Sequence, residues 1–141
     1  MRKAIACLML VAACATAPSE TPPDQQVRGC WINRDVGATT MRWLPDRNRP
    51  NVLAGSRLVY RQAGPPVSTR FTLEPSERGH SLCELDASGA ATQCWPVARG
   101  EGGSLEGGRA FIDAHGEALR ITIAGDGPER VIFQGRRDGC D

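Results

Sequence analysis

Several residue types that often mark a function are scarce in this chain. Lys3 is its only lysine, its histidines number 2, and aromatic residues make up 5% of it. The 17 basic and 16 acidic residues nearly balance, for a formal net charge of +1 at pH 7. Without a basic patch interleaved with aromatic side chains, the composition favours neither nucleic acid nor an anionic lipid surface as a partner.

Apolar runs are also short, and none is long enough to cross a bilayer as a helix. The longest, Ala4–Ala13, follows Arg2 and Lys3 and contains no charged residue, whereas a membrane-spanning helix needs about 20 apolar residues. A basic start followed by a short apolar run is typical of a secretion signal. We therefore expect export, with residues 1–13 removed as a signal peptide.

The end of this apolar run resembles the lipobox of bacterial lipoproteins. It reads Val11-Ala12-Ala13-Cys14, and in that class the cysteine thiol is linked to diacylglycerol. Ala15 and Thr16 follow, where an acidic residue would mark retention in the inner membrane, so the resemblance implies an outer-membrane lipoprotein that faces the periplasm. The alternative is cleavage at Ala13-Cys14-Ala15 by an ordinary signal peptidase, which would release a soluble periplasmic protein.

The segment after Cys14 differs in composition from the rest of the chain. Residues 15–28 contain three prolines and almost no apolar side chain, a composition that does not form a packed core. We expect residues 14–28 to be a lipidated cysteine and a disordered tether, and residues 29–141 to form a single domain.

Four cysteines remain beyond Cys14: Cys30, Cys83, Cys94 and Cys140. An even number in an oxidising compartment predicts two disulfides. Of the possible pairings we favour Cys83–Cys94, within one hairpin, and Cys30–Cys140, between the first strand and the last residues. The competing hypothesis, a zinc site built from His80 with Cys83 and Cys94, requires reduced thiols.

The spacing of apolar residues beyond the tether indicates strands. They come in short runs rich in β-branched and aromatic types, separated by glycine, proline, aspartate and asparagine, which predicts an all-β domain. Pro96 places its run at a sheet edge, because proline cannot donate to a strand ladder. The candidate strands are Cys30–Arg34, Thr39–Leu44, Val52–Arg61, Val67–Glu74, Ser81–Leu85, Thr92–Ala98, Arg109–Ala114, Glu117–Ala124 and Arg130–Arg136.

Within these strands, apolar and arginine side chains alternate. Alternate side chains point to opposite faces, so each strand would turn an apolar face to the core and an arginine-rich face to solvent. Short consecutive hairpins favour an up-and-down antiparallel meander that closes into a small barrel of about eight or nine strands. The residues predicted on the apolar face are Met41, Trp43, Leu58, Tyr60, Phe71, Leu73, Leu119, Ile121, Ile123, Val131 and Phe133. Those predicted on the solvent face are Arg42, Arg57, Arg61, Arg70, Arg120 and Arg130.

The opening of the first strand, Gly29-Cys30-Trp31, resembles the Gly-x-Trp signature of lipocalins and other calycin barrels. In that family the tryptophan closes the barrel floor, and an arginine near the end of the last strand packs across it. The resemblance implies a lipocalin-like barrel in which Trp31 and Arg136, or its neighbour Arg137, make this closure. A Cys30–Cys140 bridge would join the same two ends.

Three spaced elements also resemble a group of short exported bacterial proteins of unknown function with lipocalin-like folds. They are Gly29-Cys30-Trp31, Trp43-Leu44-Pro45 and Gly55-Ser56-Arg57. An acidic residue usual before the second tryptophan is absent at Thr40–Arg42, and Phe71-Thr72 replaces an aromatic-glutamate pair. A function that needs those two carboxylates is therefore not expected in this chain.

The leading functional hypothesis is capture of a small apolar or amphipathic ligand inside the barrel. Met41, Trp43, Tyr60 and Phe71 have the parity to line a cavity, with the Tyr60 hydroxyl as a polar group. The alternative is an envelope structural or protein-interaction module with a filled barrel and no ligand. Catalysis is not expected, because no nucleophile can be paired with a base, and neither a cofactor nor a metal is expected.

Overall fold

A computed structural model of the chain describes residues 21–35, 37–98 and 107–140. These residues form a short helix and nine β-strands, and every strand predicted from the sequence is present. Alternating apolar runs and turn residues therefore locate the strands of this chain well. The elements are α1 (Pro23–Val27), β1 (Gly29–Asn33), β2 (Thr39–Pro45), β3 (Leu53–Val59), β4 (Val67–Ser76), β5 (Gly79–Leu85), β6 (Ala91–Pro96), β7 (Arg109–His115), β8 (Ala118–Ala124) and β9 (Arg130–Asp138).

The strands form one sheet in the order β6-β5-β4-β3-β2-β1-β9-β8-β7. Neighbouring strands are antiparallel throughout, so the predicted up-and-down meander is confirmed. The sheet curls into a nearly closed barrel, and an isolated parallel bridge between Val97 and Ala110 joins the edge strands β6 and β7. An odd number of antiparallel strands leaves its two edge strands parallel, so they cannot continue the antiparallel ladder.

The two ends of the barrel differ in what they hold. We call the end where β1 begins and β9 ends the floor, and the end where β9 begins the mouth. α1 lies at the floor, because its Asp24 carboxylate is 3.6 Å from the His80 imidazole near the start of β5. The chain therefore enters and leaves the described barrel at the floor.

Apolar side chains fill the interior between the two ends. Trp31, Trp43, Met41, Phe71 and Leu73 are each at most 1% exposed. Burial of a large apolar side chain contributes roughly 1.5–3 kcal/mol to folding, so these residues dominate the stability of the barrel. The core continues through Val27, Leu53, Leu82, Trp95, Val97, Ala110, Leu119, Ile121, Ile123, Ile132 and Phe133.

Both predicted disulfides are present. Cys30 and Cys140 are bridged at the floor, 110 residues apart in sequence, and Cys83 and Cys94 are bridged between β5 and β6. A cross-link that closes so long a loop stabilises the fold by about 4–5 kcal/mol in the chain-entropy account, and the shorter one by about 3 kcal/mol. Because both thiols of the second pair are consumed, the hypothesis of a zinc site with His80 is wrong.

The folded domain begins earlier than Gly29, where we expected it to start. Residues 23–27 form α1 with Pro23 in its first turn, and Val27 is fully buried. The Trp31 indole N–H donates to the Val27 carbonyl oxygen at 2.7 Å. The last residues of the predicted tether are thus packed against the floor, while residues 14–20 lie outside the described part. Within the described ranges, no helix has the length and hydropathy needed to cross a bilayer.

β3 turns the opposite face to the core from the one its sequence predicts. Leu53 and Gly55 are buried, whereas Tyr60, expected on the inner face, is 45% exposed. The register explains the difference: Gly55 lies opposite Trp43, and a Cβ atom at Gly55 would come within 2.6 Å of that indole ring. Trp43 thus fills the space left by the missing side chain, and Arg57 follows Gly55 onto the inner face.

Candidate functional site

The structure brings three of the four predicted ligand-binding residues together. Met41, Trp43 and Phe71 belong to the core, and the rings of Trp43 and Phe71 lie 6.4 Å apart. Tyr60 does not join them, because it follows the end of β3 and is largely exposed. The three buried side chains pack on one another and on their neighbours, and they line none of the four described surface depressions.

At the floor Arg137, and not Arg136, packs on Trp31, so of the two arginines that the resemblance allows the structure selects Arg137. Trp31 lies directly opposite Arg137 in the pairing of β1 with β9, and directly opposite residues share a face. The Arg137 guanidinium lies 4.2 Å from the Trp31 ring centroid and donates to the Arg28 carbonyl oxygen at 3.1 Å. Arg136 is one residue earlier and therefore faces outward, where it lines a surface depression with Asn33.

Arg57 is the main polar group that sequence reasoning placed on the wrong face. Its Nη1 donates to the Ile132 carbonyl oxygen at 2.7 Å, and its Nη2 donates to the Thr69 hydroxyl at 3.2 Å. Its guanidinium carbon lies 5.6 Å from the centre of the Phe71 ring. Since Ile132 and Phe71 belong to the core, Arg57 crosses the interior from β3 to β9 just above the apolar filling.

A β-bulge in β9 provides the acceptor for Arg57. Phe133 pairs with Ile121 and Val131 pairs with Thr122, which leaves Ile132 as an extra residue without a partner in β8. The bulge also explains the burial pattern, because Ile132 and Phe133 are both buried while Val131 is 46% exposed. The prediction that Val131 faces the core is therefore wrong.

Arg130 and Glu84 complete the polar layer at the mouth. Arg130 donates to Glu84 at 2.7 Å, which links β9 to β5 across the barrel, and its guanidinium lies 5.3 Å from the Trp95 ring centroid. Arg130 thus faces inward and not, as predicted, outward. We call Arg57, Thr69, Glu84, Trp95 and Arg130 the mouth layer.

The charged side chains of the mouth layer interact with one another electrostatically. Burial lowers the pKa of Arg57, the nearby Glu84 carboxylate raises it, and the like charge of Arg130 lowers it again. Arginine nevertheless keeps its proton at neutral pH. The mouth layer therefore holds two guanidinium groups and one carboxylate, an excess of one positive charge.

A depression adjoins the mouth layer on the side of β8. It has a volume of about 270 Å³, and its lining includes Trp95, Gly108, Asp126 and Arg130. Gly108 has a positive φ of 80°, and a Cβ atom there would lie 3.3 Å from the Trp95 ring, so glycine allows the close approach. The remaining glycine-rich residues 99–106 lie outside the described part.

The residues that could support acid–base or metal chemistry are dispersed. His80 faces Asp24 at the floor, and His115 contacts Asp113 near the turn between β7 and β8. Among the described residues, no three histidine, cysteine, aspartate or glutamate side chains gather in a way that could hold a metal ion.

No protein-family model matches this chain, and no significant similarity connects it to a curated protein or a solved structure. Its side chains and their geometry are therefore the basis for inferring function.

Proposed function

We propose that the protein is a cell-envelope lipoprotein whose filled barrel acts as an interaction module and takes no apolar ligand into its interior. The packing of Met41, Trp43 and Phe71 carries this proposal, because each is at most 1% exposed. A pocket for a drug-sized molecule needs about 300–1,000 Å³, and these three side chains line none of the described depressions. Capture of an apolar molecule between these residues would require the core to separate, and Tyr60 would still lie outside it.

The disulfides support export. Bridges such as Cys30–Cys140 and Cys83–Cys94 form and persist in oxidising compartments and are rare in the cytosol. Together with the signal-like start, they favour the proposal that Cys14 is lipidated and that the protein is held at the outer membrane, facing the periplasm. Release as a soluble periplasmic protein is the alternative.

The position of α1 indicates which end of the barrel would face the membrane under this proposal. α1 packs at the floor through Val27 and Asp24, so a tether from Cys14 would reach the barrel at that end. The mouth layer lies at the opposite end and would point away from the membrane. A partner in the periplasm would then meet the mouth and the outer faces of the strands.

Probe binding tests the filled interior. We expect the mature wild-type protein to give no saturable fluorescence increase with N-phenyl-1-naphthylamine, and Trp43→Ala to give one, because an apolar cavity large enough for an aromatic molecule binds one. The substitution costs about 3–5 kcal/mol, so circular dichroism must first show that the variant is folded. Saturable binding to the wild-type protein, with affinity equal to that of the variant, would reject the proposal.

A labelling experiment tests the anchor. Expression in a Gram-negative host with radioactive palmitate should label the wild-type protein and place it in the outer-membrane fraction, whereas Cys14→Ser should be unlabelled. Recovery of unlabelled wild-type protein in the soluble periplasmic fraction would favour the alternative.

A further inference from the structure

We propose that the mouth layer is a binding site for a carboxylate, held between Arg57 and Arg130 above the Trp95 ring. The site goes beyond the interaction role of the filled barrel, because it assigns a ligand class to particular side chains. It lies above the apolar core and needs no cavity within that core.

The charged groups of the mouth layer are unequally paired. Glu84 accepts from Arg130 at 2.7 Å, whereas the acceptors found for Arg57 are two neutral oxygens, the Ile132 carbonyl and the Thr69 hydroxyl. The carboxylate of the layer is thus bound to one of its two cations. A partly buried guanidinium without a carboxylate of its own is costly, and a single bound anion would balance it.

Arg57 has donors that its contacts do not use. A guanidinium has five N–H donors, and the two contacts of Arg57 use one each of its Nη1 and Nη2 hydrogens. Its Nε is buried and has no acceptor among the described residues. Buried donors are paired in nearly all native structures, so Arg57, which also has a second hydrogen on each of Nη1 and Nη2, retains unused donors for an acceptor from outside the described protein.

The mouth layer is accessible to solvent. The side chains of Arg130 and Glu84 are 53% and 29% exposed, so solvent reaches the layer from the mouth. Arg130 also lines the depression of about 270 Å³ beside it, which offers room for the rest of a ligand. The Trp95 ring beneath Arg130 holds the guanidinium in place.

The excess of one charge favours a carboxylate over a phosphate dianion. A dianion would leave a net negative charge in the layer, and Asp126, which lines the adjoining depression, would add to the repulsion. A planar carboxylate also matches the paired N–H groups of a guanidinium. The carboxylate could belong to a free organic acid or to the C-terminus of a protein chain.

Titration of the full mature protein with sodium acetate tests the site. We expect the ¹⁵N resonances of the Arg57 and Arg130 side chains to shift saturably at millimolar acetate, with ionic strength held constant by sodium chloride. Arg130→Met, at the exposed rim, should weaken binding at least tenfold, as should Arg57→Met. Arg120→Met is the matched control, because Arg120 pairs with Glu129 on the outer face, and it should leave binding unchanged.

Three results would overturn the proposal. They are the absence of a saturable shift in the wild-type protein, an equal effect of Arg120→Met and Arg130→Met, and tighter binding of inorganic phosphate than of acetate at pH 7.5. Because Arg130→Met changes a side chain that is half exposed, the test remains decisive if Arg57→Met fails to fold.

A peptide comparison separates the two sources of the carboxylate. If a C-terminus is recognised, a tetra-alanine peptide with a free C-terminus should bind more tightly than acetate, and its C-terminal amide should not bind. If a free acid is recognised, acetate should bind and both peptides should fail. Binding of both peptides, with the amide as tight as the free peptide, would contradict a carboxylate site.

Discussion

Replacing Gly55 with alanine tests the register that turns Arg57 into the barrel. A Cβ atom at this position would lie 2.6, 2.7 and 2.8 Å from three carbons of the buried Trp43 ring. Overpacking of this kind costs about 1–3 kcal/mol, and replacing glycine on an ordinary strand backbone returns about 0.4–1 kcal/mol. We therefore expect Gly55→Ala to lower the free energy of unfolding by about 1–2 kcal/mol.

Urea unfolding of the disulfide-bonded protein, followed by tryptophan fluorescence, would measure this loss. Gly127→Ala is the matched control, because a Cβ atom at Gly127 would meet nothing within 4 Å, and its stability should stay within about 0.5 kcal/mol of the wild type. In a Trp43→Phe background the smaller ring leaves space, so the cost of Gly55→Ala should largely disappear. If Gly55→Ala proves as stable as Gly127→Ala, the proposed packing of Trp43 on Gly55 is incorrect.

The other predictions concern the floor, the longer disulfide and a turn. Arg137→Ala should lower the free energy of unfolding by about 0.5–2 kcal/mol through loss of the contact with Trp31, and Arg136→Ala should change it by less than about 0.5 kcal/mol in the same urea experiment. Serine at both positions of the Cys30–Cys140 bridge should cost about 4–5 kcal/mol, measured by thermal unfolding against the wild type. The hydrogen bond from Ser88 and those from nearby backbone N–H groups lower the pKa of Asp86 below its usual range. The stabilising effect of Asp86 is therefore present above its unfolded pKa and is lost as the pH falls through its folded pKa. Asp86→Asn should therefore show a smaller loss of stability on acidification than the wild type, and an unchanged acid dependence would contradict this.

Features set by local pattern could be predicted from the sequence. Alternation located the strands, and the hairpin position of Cys83 and Cys94 favoured their pairing, because both depend on residues close in sequence. The bridge between Cys30 and Cys140 could also be predicted, because the first and last strands of a closed meander must meet, and the structure confirms it.

Features set by contacts distant in sequence could not be predicted in this way. β3 has apolar residues of both parities, Leu53 and Leu58, and the fit of Trp43 on Gly55 decides between them. α1 has five residues, too few to be stable as an isolated helix, and it depends on the burial of Val27. The bulge at Ile132 shifts the inner face of β9 by one residue. A regular alternation of apolar and polar residues does not predict such a shift.

The mouth layer could not be predicted from the sequence for a related reason. Charged side chains are rarely buried, so a pattern of hydrophobicity assigns every arginine in a strand to the outer face. The available signal was the spacing of Arg57 from Gly55, because residues two apart on a strand share a face. The clash-free pairing of Trp43 with Gly55 then places Arg57 inside.

Hydrogen exchange of the Arg57 side chain tests the central claim most directly. Its Nε is buried and its guanidinium donates to Ile132 and Thr69, whereas Arg42 is exposed on the outer face. In ¹⁵N spectra of the arginine side chains, the Arg57 Nε–H should exchange with solvent at least tenfold more slowly than that of Arg42. Exchange of Arg57 as fast as that of Arg42 would place it on the outer face and remove the basis for the mouth layer.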